Sequence, residues 1–291
     1  MYICVDIETL SGAPEFCKEC KEEVDAKRHP EDETMLVCPL CKTKGKRWDF
    51  SNPNWTNHLP FMISCGAIAS IIPEAPGRPE ESKVKFWKAQ RQKAMTPTQI
   101  EWMINDLYKL HADGHALVTV NGTGFDWQVL DSYASHWDAA EGLSAKVQEM
   151  AVGSIDLAFY SLAEKGWMIG LDAMCRGQGV EGKLHEVTLT TGEVIKNMSG
   201  WQAPQMWLDG EDEAVLEYLA EDVLSLARLM NALKGRQHLR WYTQKDKLAS
   251  MPYVESTVKQ CMNMPYVRGW KPPNAPKKKD VAKWIDPKYF K

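Results

Sequence analysis

The stretch Tyr2-Ile3-Cys4-Val5-Asp6-Ile7-Glu8-Thr9 decides the architecture. Its apolar and β-branched residues predict a buried strand over 2–7 that ends on acids. Residues two apart on a strand face the same side, so Asp6 and Glu8 present two carboxylates together, as two ligands of one cation must. Residues 60–72 and 83–88 predict a second and a third strand. The charged stretch 11–58 between the first two strands reads as an insertion. A helix follows, with Thr96 as N-cap, Pro97 at its first position, and Gln99 completing a capping box. Ile100, Met103, Ile104, Leu107 and Leu110 repeat at helical spacing until Gly114. Residues 116–120 predict another buried strand, which runs into Asn121-Gly122-Thr123-Gly124-Phe125-Asp126 and a helix over about 126–136. Two short helices within 154–182 and a hairpin over 187–195 turning at Thr191-Gly192 come next. The longest helix spans 211–234, with Val215, Leu219, Val223, Leu226 and Met230 on its apolar face and Gly235 as its stop. Beyond about residue 240 the pattern fades into an irregular basic tail marked by Pro272, Pro273, Pro276, Lys277, Lys278 and Lys279.

The 291 residues are 44% hydrophobic and 25% charged, an ordinary globular balance. No apolar run approaches the length that spans a bilayer, and no basic n-region precedes the first strand. The expectation is an intracellular, cytoplasmic protein without membrane contact. A net charge of −4 counts against a protein that coats duplexes. It does not count against a metal-dependent enzyme, because bound cations reverse the local sign.

Four acids stand out by their settings. Asp6 and Glu8 share a strand face. Asp126 follows a glycine-rich turn, where backbone can approach a ligand closely. Asp222 lies four residues after Tyr218 on the long helix, so phenol and carboxylate share a side. Hard oxygen ligands of this kind suit two Mg²⁺ or Mn²⁺ ions. Two such cations can clamp the attacking and leaving oxygens of a phosphodiester displacement. Without metal, four carboxylates in one pocket would repel strongly. Asp156 and Asp172 are read as helix caps rather than site acids, and Lys183 as a solvated lysine with a phosphate contact as the alternative.

Asp-x-Glu-Thr, Asn-Gly-x-x-Phe-Asp and Tyr-x-x-x-Asp, in this order, resemble the three motifs of the DEDD 3′→5′ exonuclease superfamily. The tyrosine points to the DEDDy branch, similar to the proofreading domains of family B DNA polymerases and to stand-alone relatives. In the sister DEDDh branch a histidine would stand where this chain has Glu217. The resemblance covers roughly residues 1–10 and 60–235. It implies an α/β, ribonuclease H-like fold, a mixed sheet flanked by helices, for a domain over 1–240 with a C-terminal extension over 241–291. It implies that Asp6 bridges two cations, that Glu8 and Asp222 complete the first site, and that Asp126 holds the second. The Tyr218 hydroxyl would orient the attacking water, and the product would be a nucleoside 5′-monophosphate released from single-stranded DNA or RNA with a 3′ end. Thr9, Leu10, Asn121 and Phe125 become candidate substrate contacts. The chain departs from the family where Thr9 is followed by Leu10-Ser11-Gly12 and the insertion.

Within that insertion, Cys17-Lys18-Glu19-Cys20 and Cys38-Pro39-Leu40-Cys41 are seventeen residues apart. Two Cys-x-x-Cys pairs at this spacing point to one structural zinc ion held by four thiolates, a zinc ribbon over 13–50. A pair of disulfides or an iron site is the alternative. Little apolar material lies between the pairs, so metal would supply the folding energy. Lys42, Lys44, Lys46, Arg47 and Trp48 follow the second pair, a composition that suits either single-stranded nucleic acid or a protein partner. Cys4, Cys65, Cys175 and Cys261 lie in mostly apolar contexts and read as small buried hydrophobes. Two other functions fit the same residues: a binding adaptor built on an exonuclease scaffold, and a structure-specific endonuclease.

Overall fold

The computed structural model describes every residue except 11, 13, 25–26, 30–31, 47–49, 51, 73–80, 138–141, 185, 197, 199, 266–271 and 273–274. The chain forms two compact units, one of Met1–Leu10 with Met62–Lys291, the other of Ser11–Phe61. β1 (Tyr2–Thr9) opens the first unit. The second unit carries β2 (Glu15–Cys17), β3 (Glu22–Val24), β4 (Lys27–His29), β5 (Asp32–Val37) and β6 (Lys44–Lys46). The chain returns to the first unit as β7 (Ile63–Ile72), β8 (Glu81–Lys88), α1 (Pro97–Ala112), β9 (Ala116–Thr119), α2 (Asp126–Trp137), α3 (Leu143–Gly153) and β10 (Ile155–Asp156). It continues through α4 (Leu157–Lys165), α5 (Leu171–Gln178), the hairpin β11 (Glu186–Thr188) and β12 (Val194–Lys196), then α6 (Ala203–Leu208) and α7 (Asp212–Leu233). The hairpin β13 (His238–Tyr242) and β14 (Leu248–Pro252) follows, with α8 (Val258–Asn263) and α9 (Lys278–Val281) behind it.

The first unit is an α/β structure built on a five-stranded mixed sheet in the order β10-β9-β1-β7-β8. β1 pairs antiparallel with β7 and parallel with β9, and β10 runs parallel to β9. β1 is the central strand and is packed on both faces, which explains its nearly unbroken apolar run. Ile7 stands opposite Gly66. A side chain at Gly66 would meet the Met103 sulfur of α1 at 2.7 Å, so glycine lets α1 close on this face. Asp6 and Glu8, one residue out of phase, point to the other face, where α7 packs across β1 and β7. The register slips between Glu8 and Thr9, a bulge that bends the strand beside the two acids.

Helix α1 begins as the sequence predicts. Thr96 accepts from the Gln99 amide, and the Gln99 side chain accepts from the Thr96 amide. A reciprocal cap of this type is worth roughly 1 kcal/mol. Ile100, Met103, Ile104 and Leu107 are fully buried beneath it. The hairpin turns at Thr191-Gly192, with Gly192 in the left-handed region. Cys4, Cys65, Cys175 and Cys261 are all buried.

Three expectations need correction. The described residues just beyond 240 are not irregular: β14 pairs with β13, and Tyr160 donates to the Pro252 carbonyl. Alternation in Leu239, Trp241 and Met251, all buried, is the signal that proline and lysine counts obscured. Helix α3 was not foreseen, although Val147, Met150 and Ala151 are buried. Asp172 does not cap α5, because Gly170 holds that place and Asp172 sits in the first turn. Among the described residues no helix is long and apolar enough to cross a membrane.

The second unit extends past 13–50. Asn52 donates to the Pro14 carbonyl and to Glu23, His58 meets the same carboxylate at 2.8 Å, and Trp55 stacks on Phe61. β2 pairs with β3, and β5 lies between β4 and β6. Among the described residues its buried cluster is Cys17, Val24, Leu36, Cys38 and Phe50, with Cys20 packed against it.

Candidate metal centres

Three segments of the first unit bring the four acids together. β1 supplies Asp6 and Glu8, the first turn of α2 supplies Asp126, and α7 supplies Asp222. Asp126 is placed by its own hydrogen bonds: its Oδ1 accepts from the Ile7 amide at 3.3 Å, which ties the start of α2 to β1. The turn before it is set by Asp156. That carboxylate accepts from the Asn121 and Thr123 amides at 2.9 and 2.8 Å and caps α4 through the Ala158 and Phe159 amides. Asp156 is therefore a cap, as read, and also the brace of the Asp126 loop. Gly122 is obligatory there, because a Cβ would stand 2.4 Å from the Thr119 hydroxyl.

Glu8, Asp126 and Asp222 are 8%, 5% and 4% exposed, so these carboxylates are almost wholly removed from water, while Asp6 is half-buried. Their electrostatics show mutual repulsion. Burial, then the charges of Asp126, Asp222 and Glu8, hold Asp6 well above the usual carboxylate range. Burial and the Asp222 charge push Glu8 up to about 8. Burial raises Asp126 to about 6, against the hydrogen bonds it shares with Asp6 and Ile7. Burial also raises Asp222, and Lys183 opposes that rise.

Lys183 is the residue that the sequence reading undervalued. Its ammonium lies 2.5 Å from Asp222 Oδ2 and 3.3 Å from the Tyr218 hydroxyl, with its side chain one-third exposed. Burial works against this ammonium, yet the charges of Asp222, Tyr218 and Asp6 hold its pKa above the ordinary lysine range. It arrives on a glycine-punctuated loop between α5 and β11, whose path no local pattern fixes. Gly200 was missed for the same reason: a Cβ there would lie 3.7 Å from Glu8 Oε1, so this backbone flanks the site.

Tyr218 is buried at 2% exposure on the same face of α7 as Asp222. Burial and the Asp222 charge keep its phenol protonated, so it is available as a hydrogen-bond donor. Thr9 and Leu10 are buried at the end of β1. Asn121 sits at φ +69°, its carbonyl accepting from the Gly124 amide, and Phe125 is half-buried in the same turn.

The donor set is one of hard carboxylate oxygens, the type of ligand that divalent cations such as Mg²⁺ take. Asp222 Oδ1 is buried and accepts no hydrogen bond, an arrangement that costs free energy unless a positive group meets it. Among the described residues the carboxylates do not converge within 4.8 Å of one another as the cysteines do. The Lys183 ammonium stands among them, attracting Asp222, Glu8 and Asp6.

In the second unit, Cys17, Cys20, Cys38 and Cys41 place their sulfurs within 4.8 Å of one another, a group that could hold a zinc ion. All eight cysteines are free thiols. Sulfurs of Cys17 and Cys41 are 3.5 Å apart, and those of Cys20 and Cys38 are 3.8 Å apart. Tetrahedral zinc with bonds of about 2.3 Å needs sulfur–sulfur edges of about 3.8 Å. The two turns are built alike. Lys21 and Lys42 follow the second cysteine of each pair in the left-handed region, and their amides donate to the Cys17 and Cys38 carbonyls. Hydrogen bonding with Thr43 lowers the Cys41 thiol to about 6, which eases its ionisation for metal. The Lys42 ammonium donates to the Pro39 carbonyl. Arg47 and Trp48 lie outside the described residues.

The fold and sites define an α/β protein with a buried carboxylate cluster and a separate four-thiol centre able to bind metal. Comparison with protein-family models and with curated proteins yields no match.

Proposed function

We propose that this chain is a metal-dependent 3′→5′ exonuclease of the DEDDy kind, with a ribonuclease H-like domain and an inserted zinc ribbon. What supports the reading is the placement of Asp6 and Glu8 on one face of β1, the Asp126 carboxylate on the Ile7 amide between them, and helix α7, which carries Tyr218 and Asp222, packed against that strand. Two divalent cations held by these carboxylates would offset the charge that develops on phosphate oxygens and acidify the attacking water. The chain's own residues supply the rest. Tyr218, held protonated, orients that water through its hydroxyl. Lys183 neutralises Asp222 and lies at the cluster where a phosphate oxygen would arrive. Thr9, Leu10, Asn121 and Phe125 are the proposed contacts to the terminal nucleotide.

Incubation of the chain with Mn²⁺ and a 5′-labelled single strand tests the activity. Matched DNA and RNA strands and a closed single-stranded circle complete the set. The expected result is a ladder shortening from the 3′ end, release of nucleoside 5′-monophosphates, and an intact circle. Cleavage of the circle would make the chain an endonuclease, and binding without cleavage would make it an adaptor.

Tyr218→Phe is expected to lower kcat by about 10- to 100-fold, less than loss of a carboxylate, because the cations still activate the water. Single-turnover release of the 3′ nucleotide measures it.

The raised carboxylates also predict a pH dependence. Glu8 binds its proton more tightly in the fold, at about 8, than in the unfolded chain, at its ordinary 4.5. The folded state therefore holds the extra proton across that window, and stability falls as pH rises through it. Asp126 adds to the same slope up to about pH 6. Thermal melts of the chelated protein should shift down between pH 6 and pH 8.5. Mg²⁺ binding at pH 7 should release about one proton, read by calorimetry in two buffers of different ionisation enthalpy.

A further inference from the structure

The C-terminal segment 275–291 carries six lysines against two aspartates in a chain of net charge −4. It is anchored to the loop that bears Asp126. The Trp284 indole N–H donates to the Thr123 carbonyl at 2.8 Å, and a Cβ at Gly124 would lie 3.5 Å from the Val281 side chain. Ala282 and Ile285 are buried at 3% and 2% exposure, so the anchor is a packed one. Lys278 turns inward and donates to the carbonyls of Cys261 and Met264 at 2.9 and 2.8 Å. Lys288 pairs with Asp286 at 3.1 Å. Lys277, Lys279 and Lys283 remain exposed, and among the described residues no carboxylate pairs with them. All three stand within four residues of Val281, on the segment that touches the Asp126 loop.

Surface lysines are usually only solvated. These differ because the fold fixes their segment: one lysine of the run is consumed as an internal cap, and the indole and its buried neighbours pack the segment against the turn that leads into Asp126. A cationic segment anchored on the turn that leads into a carboxylate cluster has a clear use. The cluster repels a polyanion, and a strand whose end reaches it needs positive charge along the approach.

We propose that Lys277, Lys279 and Lys283 form a phosphate track for the single strand behind its terminal nucleotide. The identity of the partner rests on the nuclease reading above. The track contacts sugar-phosphate backbone and carries no base preference.

The test uses the full chain with Lys277, Lys279 and Lys283 changed to Gln, and a control with Lys109, Lys245 and Lys247, exposed lysines elsewhere in the unit, changed to Gln. Binding of a fluorescent single strand of about twelve nucleotides is followed against KCl, with Ca²⁺ in place of Mg²⁺. Each phosphate contact to a single strand contributes about 0.7 to the slope of log affinity against log salt. The slope should fall by about 2 in the track variant and stay unchanged in the control, while both variants melt as the parent does. With Mg²⁺, hydrolysis of a dinucleotide, too short to reach the track, should be unaffected. An unchanged slope, or equal loss in the control, overturns the track and leaves the exonuclease reading intact if the parent cleaves. A parent that binds no single strand at all overturns both. A lysine-dependent slope in a parent that never cleaves supports the track and overturns the exonuclease reading.

Discussion

Asp6→Asn is expected to lower nucleotide release by about a thousandfold or more while the protein stays folded. Asparagine keeps the shape of the side chain and removes its charge. Burial and three neighbouring carboxylates all oppose the ionisation of Asp6. Its neutralisation therefore relieves repulsion, and the chelated variant should melt at or above the temperature of the chelated parent. Mg²⁺ reverses the order. It should raise the melting temperature of the parent far more than that of the variant, because only the parent has the complete carboxylate set. A single-turnover assay and paired thermal melts measure both effects. Undiminished turnover would remove the acids from the mechanism, and an unfolded variant would make Asp6 a structural residue.

Cys38→Ser is expected to abolish zinc binding and unfold the segment 11–61. Cys38 is fully buried in a cluster that, among the described residues, has five members, Cys17 and Cys38 themselves included. A core of that size cannot offset the backbone entropy of some fifty residues. Apparent zinc affinity in small four-ligand domains supplies about 10–16 kcal/mol near neutral pH, so the metal decides whether this unit folds. Metal analysis should find one zinc per parent chain and none in the variant. Limited proteolysis should then cut the variant between residues 11 and 61 and spare the five-stranded unit. A variant that keeps its zinc, or resists protease there, would contradict a four-thiolate site. The same treatment should leave the carboxylate cluster intact, because its ligands all come from the other unit.

The parts of the fold that were legible in sequence are those whose local chemistry agrees with the global arrangement. The capping box at Thr96, the apolar face of α7 and the apolar run of β1 each have one physical solution, and the structure adopts it. The candidate acids were legible because each occupies a position that a strand face, a glycine turn or a helix period defines. Lys183 was not, since its place depends on where an irregular loop passes, and nothing local fixes that. The C-terminal segment was misread for a related reason. Prolines and lysines dominate its composition, but Ala282, Trp284 and Ile285 determine its packing. Asp156 shows a third case: a cap was foreseen, yet its second role in holding the Asn121–Thr123 amides arises from the tertiary meeting of β10 with the turn.

The central claim is that Asp6, Glu8, Asp126 and Asp222 share catalytic cations. Anomalous scattering from crystals soaked in Mn²⁺ tests it most directly. Two manganese peaks bound by these carboxylates, with Asp6 common to both, is the predicted result. A cluster that takes up no manganese would contradict it.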